Sequence, residues 1–269
     1  MANHKWSCIL IGSQSLLVQC AEAWFEEGHR IHAIVSTDAR ISNWANRRRI
    51  RIHKNFDTLL SNTAPGSCDY LFSIANFDIV PGEVIALARS KAINFHDGPL
   101  PRYAGLHVTA WALINREQTH AVSWHLITDA VDQGDVLAEL PVNIDSGETS
   151  FSLNAKCYEA GLESFKSLIA DLDRNSVEAR VQDLDDFHYY GKFKRPRAGG
   201  VIVWSDDAES IDALVCALDF GPYDNPLGMA KCVVGNTVLL VNQSKVLQGK
   251  SGCDAGEVIA VDNDGITVA

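Results

Sequence analysis

The sequence lacks the long apolar segments that membrane and secreted proteins carry. No run approaches the roughly 20 predominantly apolar residues that a membrane-spanning helix needs. The N-terminus leads at once into an apolar run at 7–12 that is typical of a buried strand, and no hydrophobic core of a secretion signal precedes it. We therefore expect a cytoplasmic protein without a membrane partner.

Cysteine is present but without any pattern. The seven cysteines are scattered, odd in number, and free of Cys-x-x-Cys spacing. This favours reduced thiols, mostly packed inside the protein, over a disulfide framework or a zinc site. The histidines at 53, 120, 125 and 188 also lack metal-like spacing, so we predict no metal site.

Positive charge is scarce. Lys and Arg number 23 against 34 Asp and Glu, which gives a net charge of −11. Because phosphate contacts need clustered Lys and Arg, we expect no nucleic-acid partner. The one basic cluster, at 47–51, is typical of a solvated surface; the alternative is a contact site for a phosphate-bearing partner.

A dinucleotide-binding fingerprint is missing as well. Gly12 is the single glycine after the first apolar run, which is too little to indicate a nicotinamide or flavin cofactor. The segment 12–15 reads as an ordinary turn from strand to helix. The alternative is a backbone contact with part of an acceptor substrate.

What the chain does have is a regular alternation of strand-like and helix-like patterns. Apolar β-rich runs alternate with segments that have a helical period. The predicted strands are 7–12, 32–36, 70–75, 92–96, 122–127 and 136–142, and the predicted helices are 15–27, 81–89, 105–115 and 149–173. This alternation predicts an α/β fold with a doubly wound, mostly parallel sheet over residues 1–190, in which ligands lie beyond the carboxyl ends of the strands.

The last third of the chain has a different sequence pattern. Residues 191–200 are basic and contain Gly and Pro, which is typical of a linker. A predicted helix at 207–219 and short β-rich runs follow, so we expect residues 201–269 to form a small β-barrel-like subdomain. The sequence stops inside an apparent strand, and we therefore expect an incomplete subdomain in the N-terminal part of a larger multidomain enzyme.

The chemistry is concentrated in two short blocks. Asn94 and His96 lie two residues apart, so their side chains share one face at the end of a strand, just before a Pro/Gly-rich loop. Asp132 follows 38 positions after Asn94, in a turn closed by Gly134. An amide, an imidazole and a carboxylate without a Ser or Cys nucleophile suit an enzyme that stabilises an oxyanion and moves protons while two bound reactants react with each other.

Each of these residues also has a structural interpretation when it is taken alone. An asparagine at a strand end is more often a turn or capping residue. His96 is one of nine histidines and is compatible with a structural role. Asp132 reads locally as a turn former. It is the combination that indicates catalysis.

The combination also resembles a known family. The pair Asn94-x-His96, Leu100-Pro101, Gly105 and the run 132–135 (Asp-Gln-Gly-Asp) together resemble the formyltransferases that use 10-formyltetrahydrofolate as formyl donor. The resemblance implies a Rossmann-like formyltransferase fold with a smaller OB-like subdomain at the C-terminus. It also implies a folate-dependent N-formyltransferase whose donor, 10-formyltetrahydrofolate, serves as co-substrate.

The resemblance further implies roles for individual residues. The catalytic residues would be Asn94, His96 and Asp132. The pockets would be formed by residues that match the family's binding segments, namely Phe77, Ile79 and Val80 with Asp129, Ala130 and Val131 for the pteridine, and Gly12 with Ser13 for the acceptor.

The resemblance does not identify the amine that accepts the formyl group. After 37–40 the sequence lacks the Gly/Lys-rich insertion associated with tRNA binding in the tRNA-specific family members, and the chain is acidic, so we do not expect tRNA. Our first expectation is an aminoacyl group on a carrier domain of a nonribosomal peptide synthetase. The alternatives are a stand-alone formyltransferase for a sugar or small amine, and a catalytically silent scaffold or docking domain.

Overall fold

The computed structural model of the protein describes residues 5–249, 251–263 and 265–269. Two compact units account for these residues. The first comprises the described residues through Gly105 together with His120–Val142 and Lys156–Tyr189, and the second comprises Leu106–Thr119, Asn143–Ala155 and the described part of Tyr190–Ala269.

Strands and helices alternate through most of the chain. The strands are β1 (Ser7–Gly12), β2 (Arg30–Val35), β3 (Ile52–His53), β4 (Cys68–Ile74), β5 (Ala88–His96), β6 (Ala104–Gly105), β7 (Thr119–Leu126), β8 (Val136–Asn143), β9 (Tyr189–Tyr190), β10 (Lys231–Val234), β11 (Thr237–Leu240), β12 (Val258–Val261) and β13 (Ile266–Val268). The α-helices are α1 (Gln14–Glu26), α2 (Ala39–Arg47), α3 (Phe56–Leu60), α4 (Gly82–Ile85), α5 (Val108–Ile114), α6 (Ser150–Arg174) and α7 (Ala208–Ala217). Short 3-10 helices occupy Leu184–Asp186 and Arg197–Gly200.

The central sheet has seven strands in the order β3-β2-β1-β4-β5-β7-β8. The strands from β3 to β5 are parallel, and β7 runs antiparallel to β5. The predicted α/β fold with a mostly parallel sheet is therefore confirmed. The carboxyl ends of β1, β4 and β5 meet at one edge, where Gly12 pairs with Ile74 and Ser73 pairs with Asn94.

Both faces of the sheet are buried, as expected for parallel strands. On one face the aliphatic side chains of β1 and β4, among them Ile9, Ile11 and Leu71, pack with Leu59 and Val84. Aromatic rings form a second cluster, in which the ring centre of Phe72 lies 5.0 Å from Phe165 and 5.3 Å from Trp24. Burial on two faces explains why these strands read as continuous apolar runs.

Strand β5 is fixed from behind at the level of the candidate site. Phe95 alternates with its two neighbours, so its ring points to the opposite face. It packs against Trp124, with ring centres 5.2 Å apart, and against Gly161 of α6. A Cβ atom at Gly161 would lie 2.7 Å from the Phe95 ring, so this close approach of helix and strand requires glycine.

Several predicted elements differ from the structure. The helix predicted at 81–89 is limited to Gly82–Ile85, because the chain enters β5 at Ala88, which pairs with Cys68. The helix predicted at 105–115 begins only at Val108, because Gly105 lies in strand β6 and His107 has a left-handed backbone with φ of +56°. The short elements α2, β3 and α3 were not predicted from the pattern.

The remaining side-chain expectations have mixed outcomes. On α6, the predicted apolar residues Leu153, Cys157, Phe165, Leu168 and Leu172 are buried. Phe151, expected on the same apolar side, is 42% exposed and was wrongly assigned. The cysteines are free, and five of the seven are buried, so the predicted packed thiols are confirmed. Within the described ranges no helix is long and apolar enough to cross a bilayer.

Residues after 200 contain α7 and two separate antiparallel hairpins. One hairpin joins β10 to β11 and the other joins β12 to β13. In the part of the chain that the structure describes, strand pairing does not join the two hairpins into one sheet. The structure thus supports short β-hairpins in this region and does not show an OB fold.

Candidate active site

The end of β5 presents two of the predicted site residues together. The side chain of Asn94 is partly buried and that of His96 is 6% exposed. Asn94 pairs with His125 and His96 pairs with Ser123 across the antiparallel strand β7. The register of two strands therefore determines where this amide and this imidazole lie.

Asp132 reaches the same place from a turn. Its backbone adopts the left-handed conformation, with φ of +55°, which is uncommon for a residue other than glycine, although Asp and Asn adopt it more readily than most. Two residues on, a Cβ atom at Gly134 would lie 1.9 Å from the carbonyl oxygen of Leu126. The glycine allows the turn to fold directly against the end of β7.

The carboxylate of Asp132 lies between two imidazoles and a backbone donor. Oδ1 is 3.4 Å from His125 Nε2, and Oδ2 is 3.9 Å from His96 Nδ1. Oδ2 also accepts a hydrogen bond of 2.8 Å from the Gly105 N–H. The structure thus brings Asn94, His96 and Asp132 into one cluster and adds His125 to it.

These contacts determine the charge on Asp132. Burial alone would raise the pKa of this carboxyl group. The facing imidazole of His96, then that of His125 and the Gly105 N–H, outweigh burial and hold the pKa of Asp132 well below its ordinary value of 3.8. The group is therefore an ionised, mostly buried carboxylate at neutral pH.

The hydrogen bonds of His96 fix which ring nitrogen is available for proton transfer. His96 Nε2 lies 2.5 Å from the carbonyl oxygen of Tyr103. A carbonyl oxygen can only accept, so Nε2 carries a hydrogen and donates it. Nδ1, which faces Asp132, is the nitrogen that can gain or lose a proton.

His125 is tied down in a related way, and it orients Asn94. His125 Nδ1 donates to the Leu126 carbonyl oxygen at 2.9 Å, so Nε2 is an acceptor in the neutral ring and a donor toward Asp132 Oδ1 in the protonated ring. The Asn94 Nδ2 group lies 3.1 Å from that nitrogen and donates to it when the ring is neutral. The NH₂ end of the Asn94 amide therefore faces into the cluster, and one of its two hydrogens is left for a ligand.

The loop after β4 exposes the first set of predicted donor-binding residues. The side chain of Asn76 accepts from the Asp78 N–H and donates to the Asp78 carbonyl oxygen, which makes the loop compact. Phe77 is 71% exposed and Ile79 is 78% exposed, whereas Val80 packs on the aliphatic core. The side chains of Phe77 and Ile79 are thus exposed at the same sheet edge as Asn94.

The loop after β7 contains the second set. Asp129, Ala130 and Val131 are all exposed. The Ala130 carbonyl oxygen accepts from Thr128 Oγ1 at 3.0 Å and from the Gln133 N–H at 3.4 Å, so the turn already uses it. Asp129 and Val131, on either side of it, do not take part in these two hydrogen bonds.

Gly12 and Ser13 have structural contacts in the turn after β1. A Cβ atom at Gly12 would lie 1.8 Å from the Ile74 carbonyl oxygen, which explains the glycine. Ser13 Oγ donates to the Ala75 carbonyl oxygen at 2.9 Å. These contacts join the turn to the end of β4, and the predicted contact with an acceptor stays a prediction.

Two residues of the cluster were missed by the sequence interpretation. His125 was given little weight because its spacing is not that of a metal ligand, although its position on β7 opposite Asn94 follows from strand pairing. Gln182 follows α6 in sequence, and its Nε2 contacts the carbonyl oxygens of Asp132 and Gly134. No pattern in the sequence indicates that contact. Among the described residues, groups of three or more His, Cys, Asp or Glu side chains suited to a metal ion are absent.

Comparison with known proteins agrees with this geometry. The formyl transferase family model matches residues 23–169, which is more than half of the chain. Methionyl-tRNA formyltransferase of Clostridioides difficile (strain 630) is 28% identical over 201 residues, covering 75% of this chain and 62% of that protein. The chain therefore spans less than two thirds of the length of this relative.

Solved structures show the same fold. The N-formyltransferase from Helicobacter canadensis, in complex with folinic acid and dTDP-3-aminofucose, superimposes with a TM-score of 0.76 at 17% identity over 98% of both chains. A sugar N-formyltransferase from Shewanella sp FDAARGOS_354 superimposes with a TM-score of 0.68 at 15% identity, over 91% of this chain and 100% of that one. Together with the match over 23–169, the fold and the clustered site show that this chain belongs to the formyl transferase family.

Proposed function

We propose that this protein transfers the formyl group of 10-formyltetrahydrofolate to the amine of a small acceptor, most simply an amino sugar. The observation that carries the proposal is the cluster of Asn94, His96 and Asp132 at the carboxyl end of the sheet. The family match supports formyl transfer. Two fold neighbours support the acceptor class, namely the Helicobacter canadensis N-formyltransferase in complex with dTDP-3-aminofucose and the sugar N-formyltransferase from Shewanella.

The residues around the cluster fit a folate donor. A pteridine is a flat ring with an edge of hydrogen-bonding groups. Phe77, Ile79 and Val131 are apolar side chains that lie uncovered on loops flanking β5, and they would gain burial against such a ring. The backbone groups of Asp129 and Val131 can pair with its polar edge.

The reaction needs a place for negative charge. When a neutral amine attacks the formyl carbon, the carbonyl oxygen gains charge as the new C–N bond forms. The free hydrogen of the Asn94 amide can donate to that oxygen, and His96 protonated at Nδ1 adds positive charge nearby. Removing one such donor typically lowers the rate about 100- to 1,000-fold.

The reaction also moves a proton. The attacking amine must lose one proton, and the folate nitrogen that leaves must gain one when its bond to the formyl carbon breaks. Asp132, ionised at neutral pH, faces His96 Nδ1 and can assist the removal of the amine proton. The products are a formamide and tetrahydrofolate, with no net proton released.

A carrier-tethered aminoacyl group is the earlier expectation for the acceptor. The sugar N-formyltransferases among the fold neighbours favour a stand-alone enzyme for a sugar amine over a carrier-tethered acceptor. The carrier substrate is therefore kept as a second acceptor in the assay. The division into 1–190, 191–200 and 201–269, and an OB-like arrangement of the last segment, are retained as proposals.

The proposal is tested by mixing the protein with 10-formyltetrahydrofolate and each acceptor. One reaction contains a dTDP-linked amino sugar, one contains an aminoacyl-carrier conjugate, and one contains no amine. We expect mass spectrometry to detect a formyl group on the sugar amine. Formylation of the carrier alone would replace the acceptor but preserve the chemistry, whereas no transfer and no folate binding would contradict the proposed function.

The role of His96 is tested in the same assay. We expect His96→Ala to lower the transfer rate about 100- to 1,000-fold while the donor still binds, because the imidazole acts on the transition state. His188→Ala is the matched control, since His188 is exposed and lies outside the cluster. Equal rates for wild type and His96→Ala would rule out the assigned role.

A further inference from the structure

The buried side chain of Gln182 holds the turn that contains Asp132. Gln182 is 6% exposed. Its Nε2 donates to the Asp132 carbonyl oxygen at 2.9 Å and to the Gly134 carbonyl oxygen at 2.6 Å. Both hydrogens of one amide group are therefore used to span the turn that contains the site carboxylate.

The orientation of this amide is unambiguous. Both neighbours are carbonyl oxygens, which can only accept, so the NH₂ end must face the turn. The other end, Oε1, is buried without a hydrogen-bond partner among the described residues. An unpaired buried acceptor has a stability cost.

Strand-like pairing places Gln182 beside the turn. Arg180 exchanges two backbone hydrogen bonds, of 2.9 and 2.8 Å, with Val136 at the start of β8. Arg180 also pairs with Glu139 at 2.9 Å. Arg180 is thus fixed to β8, the strand that follows the Asp132 turn. Two residues later, the amide of Gln182 contacts the backbone of that turn.

We propose that Gln182 is a positioning residue for Asp132. Its two hydrogen bonds keep the left-handed conformation of Asp132 in place, and they thereby keep the carboxylate opposite His96 and His125. Gly105 fixes the side chain of Asp132, whereas Gln182 fixes its backbone. This inference rests on the proposed function only for its effect on the reaction rate.

Gln182→Met is the direct test, because methionine keeps the length of the side chain and loses both donors. We expect kcat for formyl transfer to fall about 10- to 100-fold, since a small displacement of a reacting group has an effect of that size. The KM for the donor should change little. The pKa of the Asp132 carboxyl group, followed by carbon NMR, should rise toward its ordinary value of 3.8.

Two control variants separate positioning from general destabilisation. Gln19→Met makes the same change at an exposed position on α1 and should leave transfer unchanged. Leu87→Ala removes a fully buried side chain from the aliphatic core and should lower thermal stability without changing the pKa of Asp132. If Gln182→Met does not fold, Gln182→Asn, which keeps the amide but shortens it, takes its place with the same expectation.

The outcomes distinguish this inference from the proposed function. Unchanged kcat together with an unchanged pKa of Asp132 in folded Gln182→Met would overturn the positioning role. If the wild-type protein transfers no formyl group, the proposed function fails. The pKa comparison then still decides whether Gln182 holds the carboxylate, with a rise supporting that role and no change contradicting it.

Discussion

Asn94 and His96 stand on strand β5, whereas Asp132 stands in a turn outside any strand or helix. The side chains of Asn94 and His96 are positioned by the register of β5 with β7 and by Phe95, which packs against Gly161 on the opposite face of the sheet. The carboxylate depends on a left-handed backbone, on Gly134, and on hydrogen bonds from Gly105 and Gln182. A strand positions its side chains through packing shared by the whole sheet, while a turn must be fixed contact by contact.

This difference predicts which substitutions affect stability and which affect the reaction rate. Changes that disturb β5 should act through the stability of the entire sheet. Changes near Asp132 should act on the reaction first, because the turn can shift while the sheet remains folded.

Gly134→Ala should have the largest effect. Its Cβ atom would lie 1.9 Å from the Leu126 carbonyl oxygen, so the turn must move away from β7. We expect unfolding free energy to fall by about 3 kcal/mol and formyl transfer to be lost in the remaining folded protein. Urea unfolding and the transfer assay measure the two effects.

The matched control for this change is Gly82→Ala. No atom lies within 4 Å of a Cβ atom at Gly82, and its φ is not positive. Stability and transfer should stay close to wild type there. A Gly134→Ala protein with normal stability and normal transfer would show that the turn is not constrained as described.

Asp132→Asn should affect the reaction more than the fold. Asparagine tolerates the left-handed conformation, so the turn can persist without the charge. We expect transfer to fall about 100-fold or more, because the proton-transfer group is lost. Steady-state kinetics and thermal unfolding of the same samples test this separation.

The same variant has a predicted pH dependence. The pKa of Asp132 in the folded state lies below its unfolded value of 3.8, so its ionisation stabilises the protein above that pH. This contribution is lost as pH falls through the folded pKa. The stability difference between wild type and Asp132→Asn should therefore shrink as the pH falls below about 4; a difference that grows on acidification below that pH would contradict the lowered pKa.

Phe77→Ser should have the smallest effect of the three. The ring is 71% exposed, so its loss should leave stability nearly unchanged. Burial of a phenylalanine against a ligand contributes roughly 1.5–3 kcal/mol, so donor affinity should fall about tenfold or more. Phe193→Ser, at another exposed phenylalanine, is the control, and equal donor affinity in both variants would remove Phe77 from the pocket.

The strand side of this comparison could be predicted from the sequence. The alternation of apolar runs indicated β1, β4 and β5 within a few residues, and the two-residue spacing of Asn94 and His96 indicated a shared face. The short helix α4 was overestimated because pairing of Ala88 with Cys68 outweighs the local helical pattern. Local preference is weak when tertiary pairing competes with it.

The turn side could not be predicted in the same way. Asp132 was placed at the site by resemblance to a family and not by any periodicity that spans 38 residues. The contacts of Gln182 with the turn bridge 50 and 48 residues of sequence, and they involve backbone carbonyl groups that have no side-chain signature. His125 could have been found from the antiparallel register opposite Asn94, had the pairing of β5 and β7 been known.

We propose that Asn94 and His96 on β5 act together with the carboxylate of Asp132 in formyl transfer. The most direct measurement follows a carbon-13 label in the formyl group of 10-formyltetrahydrofolate by NMR, in the presence of a dTDP-linked amino sugar. We expect the label to move to a formamide on the sugar with the wild-type protein and, over the same time, to remain almost entirely on the folate with Asp132→Asn. A label that stays on the folate with both proteins, or that is released as formate, would contradict this proposal.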